Sequence, residues 1–417
     1  MLPAVSRPHV VLFESIHPRA ARILESRGLA VDTEAGGRAG ADLIDRLTAV
    51  PGDGPIIIGI RSKTKVTADV FEAVPRLTAI GAFCIGTDQI DLDTARRHGV
   101  AVFNAPFSST RSVAELVVGE IVALARGLFA KSQAAHRGVW AKSAKGAHEV
   151  RGKTLGIVGY GHIGSQVSVL AEALGMQVRF YDIVAKLPLG NAMPAGSLED
   201  LLAESDFVSL HVPDTPKTRG MIGRDQIACM RRGAFLLNAS RGTVVDLDAL
   251  ADALDEGHLA GAAIDVFPVE PKHPSEPFES ILQGKENVIL TPHIGGSTVE
   301  AQENIGEEVA TALLGFLERG STQGGVVLPG LDEPLPEGVV RIWNVHENAP
   351  GVLSAIVRTV ADAGVNIVGQ HLATRDDVGL VYVDVPADAQ DAARTLCGAI
   401  ASLAPSIRTR LVTGAAA

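Results

Sequence analysis

Several things are scarce in this chain of 417 residues, and each shortage closes off a class of explanation. There are only three cysteines, Cys84, Cys229 and Cys397, far apart and without metal-ligand spacing. A disulfide scaffold or thiolate metal site is therefore not expected, and thiols in a reducing cytoplasm are. The twelve histidines include no H-x-x-x-H or similar pair, so no metal site is expected from them either. Cations are in the minority: 37 Lys and Arg against 48 Asp and Glu leave a formal net charge of −11. That balance argues against a nucleic-acid partner held by counterion release. No uncharged apolar run reaches membrane-spanning length, since even Val113 to Ala130 carries Glu115, Glu120 and Arg126. The start, MLPAVSRPHVVLFES, has too short an apolar run before Glu14 for a secretory leader. Low-complexity tracts and short repeats are missing as well.

What is present is ordinary in composition, with 46% hydrophobic and 20% charged residues, and long enough for two or three domains. The first hundred residues alternate strand and helix signals. HVVLFE, PIIIGI, LTAIGAFCIG and VAVFNAP read as strands, and PRAARILESRG and IDLDTARRHG as helices. Ser112 to Arg126 repeats apolar positions at helical spacing and carries the chain into a second domain.

The densest signal is KTLGIVGYGHIGSQVSVLAEALGMQVRFYD. A buried strand, Leu155–Val158, runs into Gly159, Gly161 and Gly164, spaced G-x-G-x-x-G, then a helix and a second strand ending at Asp182. Gly159 permits a tight turn, Gly161 lets the backbone approach a pyrophosphate, and Gly164 lets helix pack on strand. The helix N-terminus offers N–H groups to the phosphates. Asp182 is placed to accept from ribose hydroxyls and to repel a 2′-phosphate, which favours NAD over NADP.

Three further strand-like runs, FLLNAS, GAAIDVF and NVILTPH, lead to Arg241, Glu270 and His293, the last closing its run. Ligands bind at the carboxyl ends of strands in open α/β sheets, so the three are candidates for one catalytic site. Arg241 can clamp a carboxylate and polarise the neighbouring carbonyl. His293 can pass the proton, and Glu270 can hold the imidazole and raise its pKa. Asp265, in AIDVF, is either a carboxamide acceptor or a strand-end cap. The five-residue run Arg61-Ser62-Lys63-Thr64-Lys65 mixes cations and hydroxyls as a phosphate site would.

Residues 326–338 fall in GGVVLPGLDEPLPEG, rich in proline and glycine, and read as a linker. Beyond it the pattern is βαββαβ, the ferredoxin-like order. The predicted α/β architecture is therefore a flavodoxin-like domain of residues 1–110 and 298–325, in which the helical STVEAQENIGEEVATALLGFLERG packs back. A doubly wound Rossmann domain of 111–297 and a C-terminal module of 339–417 complete it.

The stretches GAFCIGTDQIDL, FNAPFSSTRSVAEL, AHRGVW, GYGHIG, NASRGTVVD, AAIDVFPVEP and TPHIGGST resemble those of the D-isomer-specific 2-hydroxyacid dehydrogenases. The resemblance runs nearly end to end. VHENAPGVL followed by GVNI resembles the start of an ACT regulatory module, and with RSKTKV it points to the branch that acts on 3-phospho-D-glycerate. The resemblance implies NAD-dependent oxidation to 3-phosphooxypyruvate, the first step of L-serine biosynthesis, in a cytoplasmic homotetramer with no membrane or nucleic-acid partner. It implies Arg241, Glu270 and His293 as the catalytic set. His162 and Ile163 would approach the pyrophosphate, and Ala239, Ser240, Asp265, Gly295 and Gly296 would line the nicotinamide end. Arg61, Ser62, Lys63 and Asn104 would meet the substrate, with Ser108 and Arg111 beside them. His346, Asn348 and Asn366 would bind L-serine as a feedback inhibitor, and Trp140 would lie in a subunit contact. Members often carry arginine where this chain has Lys63, so a point charge replaces a bidentate fork. Another 2-hydroxy acid such as 2-hydroxyglutarate, or an NAD-sensing corepressor, are the alternative readings.

Overall fold

Apolar runs separated by glycine and polar turns build three sheets in the computed structural model, which describes residues 7–271 and 276–413. They are shared between two units, one of Met1–Ser108 with Gln302–Ala417 and the other of Ser109–Ala301.

The first unit opens with β1 (His9–Leu12), β2 (Ala30–Thr33), β3 (Ile56–Ile60), β4 (Leu77–Ala82) and β5 (Ala101–Phe103). They pair in parallel in the order β2-β1-β3-β4-β5, the flavodoxin-like arrangement. A parallel strand covered on both faces reads as unbroken apolar sequence, and β3 is buried along its whole length. At the edge, β2 has the sequence AVDT and no buried residue, so it gives no such signal. Helix Val299–Arg319 returns Ile305, Val309, Leu313 and Phe316 to the core beneath this sheet.

The second unit holds β6 (Thr154–Val158), β7 (Gln177–Tyr181), β8 (Met193–Pro194), β9 (Phe207–Leu210), β10 (Ala234–Asn238), β11 (Leu259–Ile264) and β12 (Val288–Leu290). Their parallel order is β12-β11-β10-β9-β6-β7-β8, which reverses direction between β6 and β9. That reversal is the topological switch point of a Rossmann sheet, where a crevice opens at the strand ends. Helices Thr110–Arg126 and His162–Ala173 cover one face through Val117, Ile121 and Val167. Helices Leu198–Glu204, Arg224–Cys229 and Leu247–Asp255 cover the other through Leu201, Ile227 and Leu250.

The C-terminal module, grouped with the first unit, has β13 (Val339–Glu347), β14 (Gly369–Arg375), β15 (Val378–Pro386) and β16 (Ser406–Val412) in the antiparallel order β14-β15-β13-β16. Alternation sorts its side chains. Val340, Ile342, Val381 and Val383 pack with helices Val352–Asp362 and Gln390–Ala401. Trp343, Val345, Leu380 and Tyr382 join the core of β1–β5 instead. Both faces of β15 are thus buried, which explains its continuous GLVYV run.

The segment read as a linker is packed. Val327 and Leu328 are buried, and Thr322 N–H donates to the Leu331 carbonyl at 2.8 Å. Arg341, fully buried, donates to Asp384 through two nitrogens at 2.8 Å and to the carbonyls of Glu333 and Pro334 at 2.8 and 2.9 Å. Proline and glycine deny this stretch regular structure, and its carbonyls are used to satisfy a buried guanidinium instead. Among the described residues no helix is long and apolar enough to cross a membrane.

Candidate active site

At the end of β6 the chain turns at Gly159, whose φ of 91° favours glycine. A Cβ there would lie 2.3 Å from the His211 carbonyl oxygen, and one on Gly164 would lie 2.2 Å from the Gly159 carbonyl oxygen. Gly161 has no such neighbour within 4 Å, so the turn is open to an incoming group. It precedes helix His162–Ala173, whose N-terminus carries no side-chain cap. His162 is exposed and Ile163 half-buried. After β7, Asp182 accepts from Tyr160 N–H at 2.8 Å through one oxygen and from Val184 N–H at 2.9 Å through the other. Each carboxylate oxygen keeps a second acceptor position.

A second cluster forms where β10, β11 and β12 end. Asn238 accepts from Ser240 N–H and Oγ at 3.0 and 2.7 Å and donates to the Arg241 carbonyl at 3.0 Å, tying Ala239, Ser240 and Arg241 into one turn. Arg241 Nη1 donates to the Ser240 carbonyl at 2.8 Å. Gly242 lets this turn lie against the chain after β11, since a Cβ would meet the Phe267 carbonyl carbon at 2.0 Å. On that facing loop, Glu270 Oε1 accepts from Phe267 N–H at 3.2 Å.

His293 closes the cluster. Its Nδ1 lies 3.1 and 2.9 Å from Glu270 Oε1 and Oε2, and both side chains are partly exposed. The Glu270 hydrogen bond holds the imidazole above its ordinary 6.5, against burial and the repulsion of Arg241. Burial pushes Glu270 up, but its bonds to His293 and the Phe267 N–H, with the field of Arg241, hold it below the ordinary carboxylate range.

Asp265, which is buried, takes the role of a cap. It accepts from Thr291 Oγ1 at 2.6 Å and from the N–H groups of Ile294 and Gly295 at 2.8 Å each. Its carboxylate thereby shapes the loop that carries His293, Gly295 and Gly296. Most of its acceptor capacity is used within the chain.

The remaining sequence candidates are more dispersed. Arg61 is half-buried while Ser62 and Lys63 are exposed, and neither cation enters an ion pair among the described residues. Asn104 donates to the Ile85 carbonyl at 2.7 Å. Ser108 donates to Glu308, and Arg111 pairs with Glu115 at 2.6 Å, so both are already engaged. In the C-terminal module His346 is buried, and burial lowers its pKa. Asn348 is exposed and donates to the Asp376 carbonyl at 3.1 Å, and Asn366 is exposed. Trp140 is 87% exposed.

Pattern reading missed three residues here: Gly242, His211 and Glu120. His211 accepts or donates at 2.8 Å to Ser209 Oγ through Nε2, and burial drives it to about 4, so the ring is neutral. Glu120, on the apolar face of helix Thr110–Arg126, is pushed up to about 8 by burial and by Asp265. A lone carboxylate in an apolar stripe was the only available signal.

Comparison with known proteins follows the same lines. Residues 118–295 match the family described as D-isomer specific 2-hydroxyacid dehydrogenase, NAD binding domain. The D-3-phosphoglycerate dehydrogenase of Haemophilus influenzae is 52% identical over 91% of this chain and 92% of that protein. The chain belongs to the D-isomer-specific 2-hydroxyacid dehydrogenase family. The Escherichia coli K12 protein of the same name is 55% identical over 85% of this chain and 86% of its own length. Among solved structures, the D-lactate dehydrogenase of Aquifex aeolicus, complexed with NAD and lactic acid, is 30% identical with a TM-score of 0.64. That match covers 74% of this chain and 95% of the other. Residues 342–400 match an AHAS small subunit-like ACT domain, which gives this dehydrogenase a module suited to ligand-binding regulation.

NAD is the cofactor of this family member, and the residues fit it. The Gly159 turn sits where a Cβ would collide with His211, the adjoining Gly161 is clear, and Asp182 retains acceptor positions for hydroxyls. An acidic residue there opposes a 2′-phosphate.

Proposed function

We propose that the chain oxidises 3-phospho-D-glycerate to 3-phosphooxypyruvate with NAD, the first step of L-serine biosynthesis. The observation that carries this is the Glu270–His293 pair, set beside Arg241 at the ends of β10–β12 in an NAD-binding unit. Bound NAD supplies the acceptor for the hydride that leaves C2. His293 takes the proton of the C2 hydroxyl, and Glu270 stabilises the resulting imidazolium. Arg241 holds the substrate carboxylate and polarises the forming carbonyl. Ala239, Ser240, Gly295 and Gly296 border the same strand ends. Arg61, Ser62, Lys63 and Asn104 hold the phosphate, with Lys63 acting as a point charge.

Mixing the purified protein with NADH and either 3-phosphooxypyruvate or 2-oxoglutarate tests the reading by loss of nicotinamide absorbance. Turnover of 2-oxoglutarate alone would reassign the substrate, and no turnover of either would remove the enzyme reading.

We further infer that the ACT module binds L-serine through His346, Asn348 and Asn366 as a feedback signal. The match of residues 342–400 to an ACT domain family supports this reading. Millimolar serine without effect on the rate overturns this. A homotetramer is supported by the exposed apolar group Leu128, Phe129, Val139 and Trp140, and light scattering of Trp140→Ala against the parent tests it. A cytoplasmic setting goes with this reading and with the three reduced cysteines.

A further inference from the structure

The run HVVLFES ends β1 with two residues in an uncommon backbone state. Glu14 has φ of 63° and Ser15 φ of 49°, the left-handed region that non-glycine residues rarely adopt. Their N–H groups donate to the carbonyls of Gly36 and Glu34 at 3.2 and 3.0 Å, which fixes the bend. Strain of this kind persists where the surroundings over-determine it, and it gathers at functional sites.

The bend sends the Glu14 side chain inward, where only 7% of the residue is exposed. Among the described residues no cation pairs with it. Three backbone N–H groups of the basic loop converge on the carboxylate instead. Oε1 accepts from Thr64 at 2.8 Å and Arg61 at 3.0 Å, and Oε2 accepts from Lys63 at 2.9 Å. From the other side Gln89, also buried, donates through Nε2 to the Arg61 carbonyl at 2.5 Å and to that of Gly86 at 3.3 Å. The Arg61 peptide units are therefore held on both sides by side chains from β1's end and from the loop after β4.

Converging amides of this type form an anion-binding concavity. Here the concavity is filled by the protein's own carboxylate. Those amides are spent, so a substrate phosphate must be read by the side chains of Arg61, Ser62 and Lys63, and Ser62 and Lys63 are left exposed.

We propose that Glu14, with Gln89 as its counterpart, is a positioning residue that sets the conformation of the phosphate-reading loop and so the preference for a phosphorylated substrate. This rests on the reading of Arg61–Lys63 as the phosphate site. Glu14 touches no reacting atom. Its contribution is the geometry in which the loop's cations are presented.

The experiment uses the full-length enzyme with NADH and two substrates, 3-phosphooxypyruvate and hydroxypyruvate, which lacks the phosphate. Glu14→Gln keeps the volume but turns an amide NH2 toward donors, and Glu14→Asp keeps the charge on a shorter stem. Glu14→Gln should raise KM for 3-phosphooxypyruvate about tenfold through misplacement of the loop. Its kcat, its KM for NADH and its kinetics with hydroxypyruvate should stay near those of the parent, and Glu14→Asp should recover part of the loss. Arg61→Ala should show the same selectivity. An unchanged KM in Glu14→Gln beside a raised KM in Arg61→Ala overturns the proposal, as does an equal loss with both substrates. An unchanged KM in Arg61→Ala overturns the reading of the loop itself. If Glu14→Gln does not fold, Gln89→Met releases the Arg61 carbonyl, on the other side of the same residue, and the same selective rise is required of it.

Discussion

Both carboxylate oxygens of Glu270 lie within 3.1 Å of His293 Nδ1, and His293 is itself one of the few non-glycine residues with positive φ, at 54°. Its N–H donates to the Asp265 carbonyl at 2.8 Å, and the Asp265 side chain takes the next two N–H groups. The imidazole is thus fixed at the ring by one acid and at the backbone by another. That leaves Nε2 as the nitrogen available for proton exchange.

His293→Ala removes that nitrogen without touching the glycine turn at β6. The turnover number should fall about 10²–10⁴-fold, the usual worth of a positioned acid or base. NAD affinity, measured by titration calorimetry, should stay within about twofold of the parent. Parental turnover in this variant would remove His293 from the chemistry.

Glu270→Gln should move the pH profile, and the sign follows from the pair. Glu270 raises the imidazole above 6.5, and oxidation needs the unprotonated ring. The rate of oxidation should therefore rise with pH along a limb above 6.5 in the parent. That limb should shift to lower pH in the variant, where the charge is gone and only a neutral amide acceptor is left for the ring. In the direction of reduction, which needs the protonated ring, activity should be lost at lower pH than in the parent. A limb that stays in place would mean another group sets it.

Gly242→Ala should be disruptive although it adds one methyl group. The new carbon would sit 2.0 Å from the Phe267 carbonyl carbon, so the Arg241 turn and the Glu270 loop must separate. Overpacking of this kind costs about 1–3 kcal/mol. The check is a lowered melting temperature together with lowered kcat/KM.

Asp182→Ser should relax the choice of cofactor. Removing the carboxylate lifts the repulsion of a 2′-phosphate and withdraws one charge-assisted acceptor, worth about 1.5–3 kcal/mol. The ratio of kcat/KM for NADP over NAD should rise at least about tenfold. An unchanged ratio would show that selectivity lies elsewhere.

Much of this site was legible from local spacing. Gly159, Gly161 and Gly164 each act within a few residues of the chain, so their order in sequence is their order in space. Arg241, Glu270 and His293 follow apolar runs, and parallel strands bring successive ends to one edge of the sheet. Gly242 was not legible, because the Phe267 carbonyl it approaches lies in the loop after β11, outside any short window, and His211 was not, because the Gly159 turn that its carbonyl meets follows a different strand. Asp265 reads in sequence as either of two roles, because its three donors come from the loop after β12, 26 to 30 residues further on. The packing of the segment after Gly324 is not legible for a related reason. Its composition speaks only about regular structure, whereas Arg341 and Tyr382, which hold it, come later in the chain.

The sheet of the C-terminal module has a bearing on how this enzyme can be taken apart. Severing the chain at Gly338 looks like the natural way to obtain an unregulated dehydrogenase. The saw would pass through glue. Trp343 and Tyr382, both fully buried, hydrogen-bond the Gly320 carbonyl, and Arg408 reaches the carbonyls of His98 and Leu77. Deleting the module strips one wall from the hydrophobic interior of the β1–β5 domain and leaves sticky fragments. The role of the module is better probed by side-chain replacement than by deletion.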